Sequence, residues 1–161
     1  MKRRGLAVFL SGVALSLFPA GSARAGDIVA FLAEGRPSEV WGRGFGAALS
    51  FSFFRVVTFE GEAAQMTALG TDRGMTSFTG SALLSPPIGK LTPYAGLGVG
   101  LYRQTAGPDS QTSTLRAVIA GVKLQVGGLI VLKAEYRDFN LSSDPLLFLE
   151  SRFSAGAGIS F

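Results

Sequence analysis

The chain is most constrained by a strict two-residue alternation, in which apolar side chains are separated by polar or small ones. In the last segment Phe153, Ala155 and Ile159 alternate with residues such as Ser154 and Gly158. Successive side chains of a strand point to opposite faces, so this period predicts β-structure with two unlike faces. The pattern occurs in eight segments, which predict eight strands: 27–34, 43–52, 56–66, 74–84, 92–103, 113–126, 130–137 and 152–161.

The polar face of these predicted strands carries charge. In the seventh strand Lys133, Glu135 and Arg137 share one parity, while Ile130 lies on the other. Three successive charges cannot face lipid or a dry core, so this face must contact water or paired charges. The facing of strand 27–34 stays open, because both of its parities are mostly apolar. The inward parity of the other strands collects seven charged residues: Glu60, Glu62, Lys123, Lys133, Glu135, Arg137 and Arg152.

The connections between the strands alternate between short and mostly longer segments. Gly127-Gly128 makes the shortest, a two-residue hairpin turn. This alternation is typical of a bacterial barrel with short periplasmic turns and longer external loops, and it places both termini on the periplasmic side. The short connections are 53–55, 85–91 and 127–128, and the others are 35–42, 67–73, 104–112 and 140–149.

Aromatic residues are predicted to form two girdles around a band of aliphatic side chains. The predicted periplasmic girdle contains Phe51, Phe53, Phe54, Tyr94 and Phe161. The predicted outer girdle contains Trp41, Phe45, Tyr102, Tyr136, Phe139 and Phe153. Two such girdles are the pattern of a membrane barrel. We therefore predict an all-β fold, an eight-stranded antiparallel up-and-down transmembrane β-barrel that follows a cleaved signal peptide.

The start of the chain has the organisation of an export signal. Three basic residues at 2–4 precede an apolar run over 6–18, and a pattern of small residues ends at Ala25. The apolar run is shorter than the roughly 20 residues that a spanning helix needs, and it matches a secretory signal peptide. The predicted division is a signal peptide at 1–25 and an outer-membrane barrel domain at 26–161.

Charge and composition exclude several classes of function. Four of the 15 basic residues lie in the predicted signal peptide, which leaves 11 basic and 11 acidic residues and gives no warrant for nucleic-acid binding. The chain has no histidine, which removes His-based metal sites and Ser-His or Cys-His nucleophile pairs. It has no cysteine either, so no disulfide can staple it. We expect no enzymatic activity, no cofactor and no metal.

The chain from about Asp27 to Phe161 resembles the small eight-stranded outer-membrane barrels, those of OmpA-type membrane domains and OmpX-like proteins. The resemblance implies a location in the bacterial outer membrane and contact with outer-membrane lipid and lipopolysaccharide. It also implies a last strand that the barrel-assembly machinery reads during biogenesis. We expect the barrel to be a monomer. The residues of this implied assembly signal are Phe153, Ala155, Ala157, Ile159 and Phe161. Barrel enzymes of similar size that trim or acylate lipid A resemble hydrolases or transferases that need a catalytic histidine, so their activity does not carry over.

The charged lumen admits two interpretations. Strands three and seven face each other across an eight-stranded barrel, which brings Glu60 or Glu62 within reach of Lys133 or Arg137. Because the interior of such a barrel is only just wide enough for side chains, we favour a structural ion-pair plug over a charged gate.

Two arginines mark a possible lipid contact at the outer end of the barrel. Arg103 closes strand five and Arg116 lies near the start of strand six, both on the outward parity. Guanidinium groups at this position could bind lipopolysaccharide phosphates, although ordinary snorkelling toward the interface explains them equally well.

Three functions are compatible with the sequence. The first is a structural or surface-interaction protein of the cell envelope, and the second is a narrow porin-like pore with a charged lumen. The third is a soluble periplasmic lipocalin-like barrel. In the soluble barrel the charged parity would point outward and the apolar parity would fill the interior, which is the reverse of a membrane barrel.

Overall fold

The computed structural model describes residues 24–37, 42–53, 56–70, 72–141 and 149–161. Each strand pairs antiparallel with the next one along the chain, and β8 pairs with β1, so the sheet closes into an up-and-down barrel. The predicted fold class is confirmed. The strands are β1 (Arg24–Pro37), β2 (Gly42–Phe53), β3 (Val57–Ala68), β4 (Arg73–Leu84), β5 (Leu91–Ala106), β6 (Asp109–Val126), β7 (Ile130–Leu141) and β8 (Leu149–Ser160).

Most of the predicted signal peptide, residues 1–23, lies outside the described residues, so its cleavage after Ala25 stays a prediction. Among the described residues there is no helix long and apolar enough to cross a membrane.

The hairpin of β5 and β6 is longer than the sequence predicts. Pairing continues from Arg103↔Thr112 to Ala106↔Asp109, so the predicted connection 104–112 shrinks to a turn at Gly107-Pro108. The alternation of apolar and polar residues ends there because both faces of the hairpin are polar, yet the backbone ladder needs no apolar side chain to continue. At the opposite end of the barrel, Gly127 and Gly128 have φ angles of 63° and 84°, so the predicted turn forms at these glycines. Because Val126 pairs with Ile130, the connection is 127–129, one residue longer than the predicted two-residue turn.

The first strand, whose facing the sequence left open, turns Phe31 into the barrel. Phe31 lies opposite Gly46 of β2 and Gly156 of β8. A Cβ on Gly46 would collide with the Phe31 ring, and one on Gly156 would lie 2.7 Å from the Phe31 Cβ. Both glycines therefore make room for this ring, which the narrow lumen would otherwise not hold. Val29 is buried on the same face of β1.

The outside of the barrel is an apolar belt. Large apolar side chains on the outward parity are widely exposed, as Leu32 (74%) and Leu97 (66%) illustrate. On β5 the belt runs from Leu91 to Leu101. With a rise of ~3.3 Å per residue and a strand tilt of ~40° from the barrel axis, these residues span roughly 25 Å along the axis. This is the height of the lipid-facing band of a membrane barrel.

A ring of polar residues bounds this belt at the end away from the termini. On each strand, it contains the first polar residue of the outward face that follows the apolar belt in the direction away from the termini. We call this ring the outer collar. Within it, Glu34 and Arg43 lie directly opposite each other and form an ion pair of 3.3 Å. The outer collar contains Glu34, Arg43, Gln65, Thr76, Arg103, Arg116, Asp138 and Ser151.

The aromatic girdles are confirmed in part. Most of the predicted girdle residues that the structure describes face outward, and at the termini end the rings of Phe51 and Phe161 meet edge to face at 6.3 Å. Two aromatic residues that the sequence did not assign, Phe59 and Phe78, are also exposed on the belt. The predicted girdle residues that are exposed are Phe45, Phe53, Tyr136, Phe153 and Phe161.

Three girdle assignments were wrong. Tyr94, Tyr102 and Phe139 are buried, and all three lie inside the barrel. They were assigned by their distance from a strand end, whereas parity decides whether a side chain meets lipid or the lumen. Trp41 and Phe54 lie outside the described residues.

Candidate functional site

The lumen is divided along the barrel axis into three layers. Nearest the termini, Asp27, Ser50 and Lys123 form the inner cluster. A central network of charged residues follows, and an apolar outer cap fills the other end. The central network consists of Glu60, Glu62, Lys133, Glu135, Arg137 and Arg152. The outer cap consists of Ala33, Met66, Met75, Tyr102, Leu115 and Phe139.

Facing strands supply opposite charges to the central network. From β7, Lys133 Nζ lies 2.8 Å from Glu60 Oε2, and Arg137 Nη2 lies 2.8 Å from both Glu60 Oε1 and Glu62 Oε2. From β8, Arg152 Nη2 lies 2.7 Å from Glu62 Oε1. All of these side chains are at least 97% buried. The structure thus brings together the residues of β3 and β7 that the sequence placed across the lumen from each other.

The network is electrically neutral as it stands. Glu60, Glu62 and Glu135 offer carboxylate oxygens within 4.8 Å of one another, which is a spacing that a metal ion could use. Three cationic side chains already occupy that space, and Lys133 Nζ also lies 2.9 Å from Glu135. Because burying unpaired carboxylates is costly, the three cations are what makes this grouping stable without an ion.

Lys123 belongs to the inner cluster and not to the central network. Its Nζ lies 2.9 Å from Asp27 Oδ2 and 2.8 Å from Ser50 Oγ. The sequence grouped Lys123 with the other lumen charges and missed Asp27, because the facing of β1 was open. No signal within β1 itself could have found it, because both parities of that strand are mostly apolar.

Tyr94 connects the inner cluster to the central network. Its hydroxyl donates a hydrogen bond of 2.9 Å to Glu135 Oε2. The ammonium groups of Lys123 and Lys133 lie 5.8 and 5.6 Å from the centre of its ring. An aromatic ring between two cations lowers their mutual repulsion through its negative faces. The sequence placed Tyr94 in the lipid-facing girdle, so the predicted lumen network did not include it.

Arg152 marks the boundary between the central network and the outer cap. Its guanidinium carbon lies 5.1 Å from the Phe31 ring centre and 5.6 Å from that of Phe139. Its Nε and Nη1 atoms have no hydrogen-bond partner within the described part of the chain. The two rings supply cation–π contacts to the face of the guanidinium group in place of further hydrogen bonds.

Comparison with known proteins rests on structure. No protein-family model matches the chain, and no curated protein matches its sequence. The crystal structure of Neisserial surface protein A superimposes with a TM-score of 0.66 at 20% identity, covering 84% of this chain and 94% of that one. The outer membrane protein OprG from Pseudomonas aeruginosa gives 0.64 at 14% identity, covering 86% of this chain and 96% of that one. The chain has the fold of the small outer-membrane β-barrels.

A third outer-membrane barrel is similar in the same way. Ail, the attachment invasion locus protein of Yersinia pestis, superimposes with a TM-score of 0.61 at 19% identity, covering 86% of this chain and 99% of that one. That structure holds the heparin analogue sucrose octasulfate. The resemblance predicted from the sequence is therefore confirmed for the fold, and an outer-membrane location agrees with the apolar belt.

The structure separates the two arginines that the sequence placed together at the outer end of this outer-membrane barrel. Arg103 lies in the protruding hairpin opposite Thr112, and its Nη2 donates a hydrogen bond of 3.4 Å to Ser110 Oγ. Arg116 lies opposite Val99, four residues further down β5. Because β6 begins at Asp109, Arg116 is well inside the strand and not near its start, which corrects the prediction.

The residues of the implied assembly signal share the outward face of β8. Phe153, Ile159 and Phe161 are more than half exposed, and Ala155 and Ala157 lie on the same face. The backbone N–H of Phe161 donates to the carbonyl of Gly26 at 2.9 Å, which fastens the end of the chain to the first strand. This apolar row on the closing strand is accessible along its whole length.

Proposed function

We propose that the chain is an integral protein of the bacterial outer membrane with a structural or surface-interaction role, and that it is not an enzyme. One observation carries the proposal: the charged parity lies inside the barrel and the apolar parity lies outside. A barrel of this polarity is stable where lipid surrounds it. The charges inside pair with one another, and the apolar side chains outside contact lipid instead of water. The barrel then holds its outer connections above the membrane.

The facing of the side chains contradicts the soluble alternative. A lipocalin-like barrel required the charged parity to point into water, but Glu60, Lys133 and Arg137 are buried inside. It also required the large apolar residues to fill the lumen, but Leu97 and Phe78 are exposed. An exposed apolar surface of this extent leads to aggregation in water. The soluble periplasmic binding barrel was therefore wrong.

The lumen is better suited to a plug than to a channel. Any path through it must pass the central network and then the outer cap, in which Tyr102 and Leu115 are each only 1% exposed. Opening the network would separate charges that have no water to replace their partners, at about 3–5 kcal/mol for each pair broken. We infer that the ion pairs hold the barrel closed and rigid, and that conduction is not its function.

A non-enzymatic role agrees with the chemistry of the buried groups. The whole chain lacks histidine, the commonest general base at neutral pH. The central carboxylates of Glu60, Glu62 and Glu135 are each held by cations and are not available to take a proton from a substrate. These groups satisfy one another, which is the arrangement of a structural core.

The partners that we propose follow from the surface. The apolar belt contacts outer-membrane lipid, and Arg103 and Arg116 of the outer collar contact lipopolysaccharide. The outward row on β8 that ends at Phe161 is proposed as the signal for the barrel-assembly machinery, and the finished barrel is proposed to be a monomer. These proposals are supported by the exposure of the residues concerned and by the fold of the neighbours.

Two experiments test the proposal. The full chain is expected to fractionate with the outer membrane and to migrate faster on a denaturing gel before boiling than after it. Solubility without detergent would overturn the membrane assignment. In planar bilayers the refolded protein is expected to give no discrete conductance, and neither Glu62→Gln nor Arg137→Gln is expected to create a regular one. Discrete openings that either substitution abolishes would establish the channel instead.

A further inference from the structure

Two opposite charges face outward on the lipid-facing wall of the barrel. Arg116 of β6 and Asp138 of β7 both lie in the outer collar and are exposed. Neither forms an ion pair or a side-chain hydrogen bond with any residue that the structure describes. The contrast within the same collar is Glu34 with Arg43, which lie directly opposite each other and are joined at 3.3 Å.

Strand register sets the relative position of Arg116 and Asp138. Arg116 lies opposite Asn140, while Asp138 lies opposite Val118, so the two charges are diagonal neighbours. Diagonal neighbours in a sheet are roughly 7–8 Å apart, against about 5 Å for directly opposite residues. The register therefore presents a positive and a negative group side by side on the outward face.

Apolar side chains surround these charges. Arg116, Asp138 and Asn140 line one concavity of about 420 Å³ that continues onto the belt. Its apolar wall includes Leu97 and Val118, which are 66% and 58% exposed. A molecule that fits this site has a charged head at the level of the collar and a hydrocarbon chain below it. That is the form of a membrane lipid.

The charges indicate which headgroup fits. A simple phosphate would bind to the Arg116 guanidinium, but the neighbouring Asp138 carboxylate would repel it. A headgroup with both a phosphate and an ammonium satisfies both side chains, since the ammonium donates to the carboxylate. Arg103, the other predicted lipid contact, has no such acidic neighbour across its strand pairs, which place it between Thr76 and Thr112.

We infer that Arg116 and Asp138 together bind a zwitterionic phosphoethanolamine headgroup, with its acyl chain in the concavity below. The inference rests on the proposed function, because it requires this wall to face lipid. The headgroup has two possible sources: a phosphatidylethanolamine, or a lipid A that carries phosphoethanolamine. Both present a phosphate and a primary ammonium a few bonds apart.

Native mass spectrometry of the full chain, released from nanodiscs that contain equal amounts of two lipids, tests the inference. We expect phosphatidylethanolamine to be retained about tenfold better than phosphatidylglycerol, the ratio that one charge-assisted hydrogen bond supplies. Phosphatidylcholine is expected to be retained poorly, because its quaternary ammonium has no N–H to donate to Asp138. Nanodiscs with lipid A, with and without phosphoethanolamine, distinguish the two sources.

Three variants separate a specific site from general lipid adhesion. Asp138→Asn is expected to abolish the preference for phosphatidylethanolamine over phosphatidylglycerol, and Arg116→Gln is expected to lower the retention of both. Arg43→Gln is the matched control, since it removes an outer-collar arginine that is paired with Glu34 and lies outside the concavity, and it is expected to leave the ratio unchanged. Equal retention of the two lipids by the parent protein, or a ratio that Asp138→Asn leaves unchanged, would overturn the inference.

Separate measurements of folding and solubility test the proposed function independently of the lipid site. Each variant is first checked for heat-modifiable migration, which reports a folded barrel in detergent. A folded barrel without headgroup preference would overturn the lipid site alone. A chain that remains soluble without detergent would overturn the membrane location, and the lipid site with it.

Discussion

Replacing Arg137 by Met tests whether the central network stabilises the barrel. Arg137 is fully buried and lies within 2.8 Å of Glu60 and Glu62, and it also donates to Glu135. Without it, three buried carboxylates share the two remaining cations, Lys133 and Arg152, and one negative charge has no partner. Breaking a buried pair by removing one member costs about 3–5 kcal/mol, so we expect the free energy of unfolding to fall by that amount.

The assay is urea unfolding of the refolded protein in detergent micelles, followed by circular dichroism and by the gel shift of the folded barrel. The free energy of unfolding is obtained by linear extrapolation to zero urea. Arg103→Met serves as the control, because Arg103 is exposed and its hydrogen bond to Ser110 is long, at 3.4 Å. The control is expected to change the free energy by less than about 0.5 kcal/mol.

A double variant tests whether charge balance is the cause of the expected loss of stability. Arg137→Met combined with Glu62→Gln leaves two carboxylates with two cations, so neutrality returns inside the lumen. We expect the double variant to be more stable than Arg137→Met alone, which is a coupling that independent sites do not show. If the double variant were less stable than the single one, or if Arg137→Met matched the Arg103→Met control, the network would not stabilise the barrel through its charge balance.

Two further predictions use matched pairs. Gly46→Ala is expected to destabilise the barrel by about 1–3 kcal/mol, because its Cβ would collide with the Phe31 ring. Gly80→Ala is expected to be neutral or stabilising, because its Cβ meets open space. Urea midpoints that rank the two variants in the reverse order would contradict this packing. Leu97→Arg, in the apolar belt, is expected to lower the free energy of unfolding in lipid vesicles by about 2–4 kcal/mol. Thr105→Arg, above the outer collar, is expected to lower it by under about 1 kcal/mol. Equal unfolding free energies for the two variants would contradict a belt that lies in lipid.

The local pattern was sufficient to predict the strands and most of their facing. In β3, the alternation of Glu60 and Glu62 with Phe59 and Gly61 fixed which side chains point inward, and the structure agrees. The period of a strand is two residues, so each segment carries this information within itself. The position of the turn after β6 was also predictable locally, because the positive φ angles at Gly127 and Gly128 favour glycine, but its length of three residues was not.

The direction of the side chains could not be predicted where alternate residues of a strand did not differ in polarity. In β1 both parities are mostly apolar, so Asp27 could not be assigned to the lumen, nor could its ion pair with Lys123 be predicted. The girdle assignments of Tyr94 and Tyr102 failed for a related reason, since distance from a strand end does not determine the face. In each case the missing information lay in the neighbouring strands.

The sequence by itself determined an eight-stranded barrel with charges inside and apolar side chains outside, because strand periodicity is local. Only the tertiary structure decided which charges meet. Register and stagger around the closed sheet place Arg137 beside Glu60, Lys123 beside Asp27, and Arg116 diagonal to Asp138. Those distances depend on how eight separate strands align with one another, and closure of the barrel fixes that alignment for all of them at once.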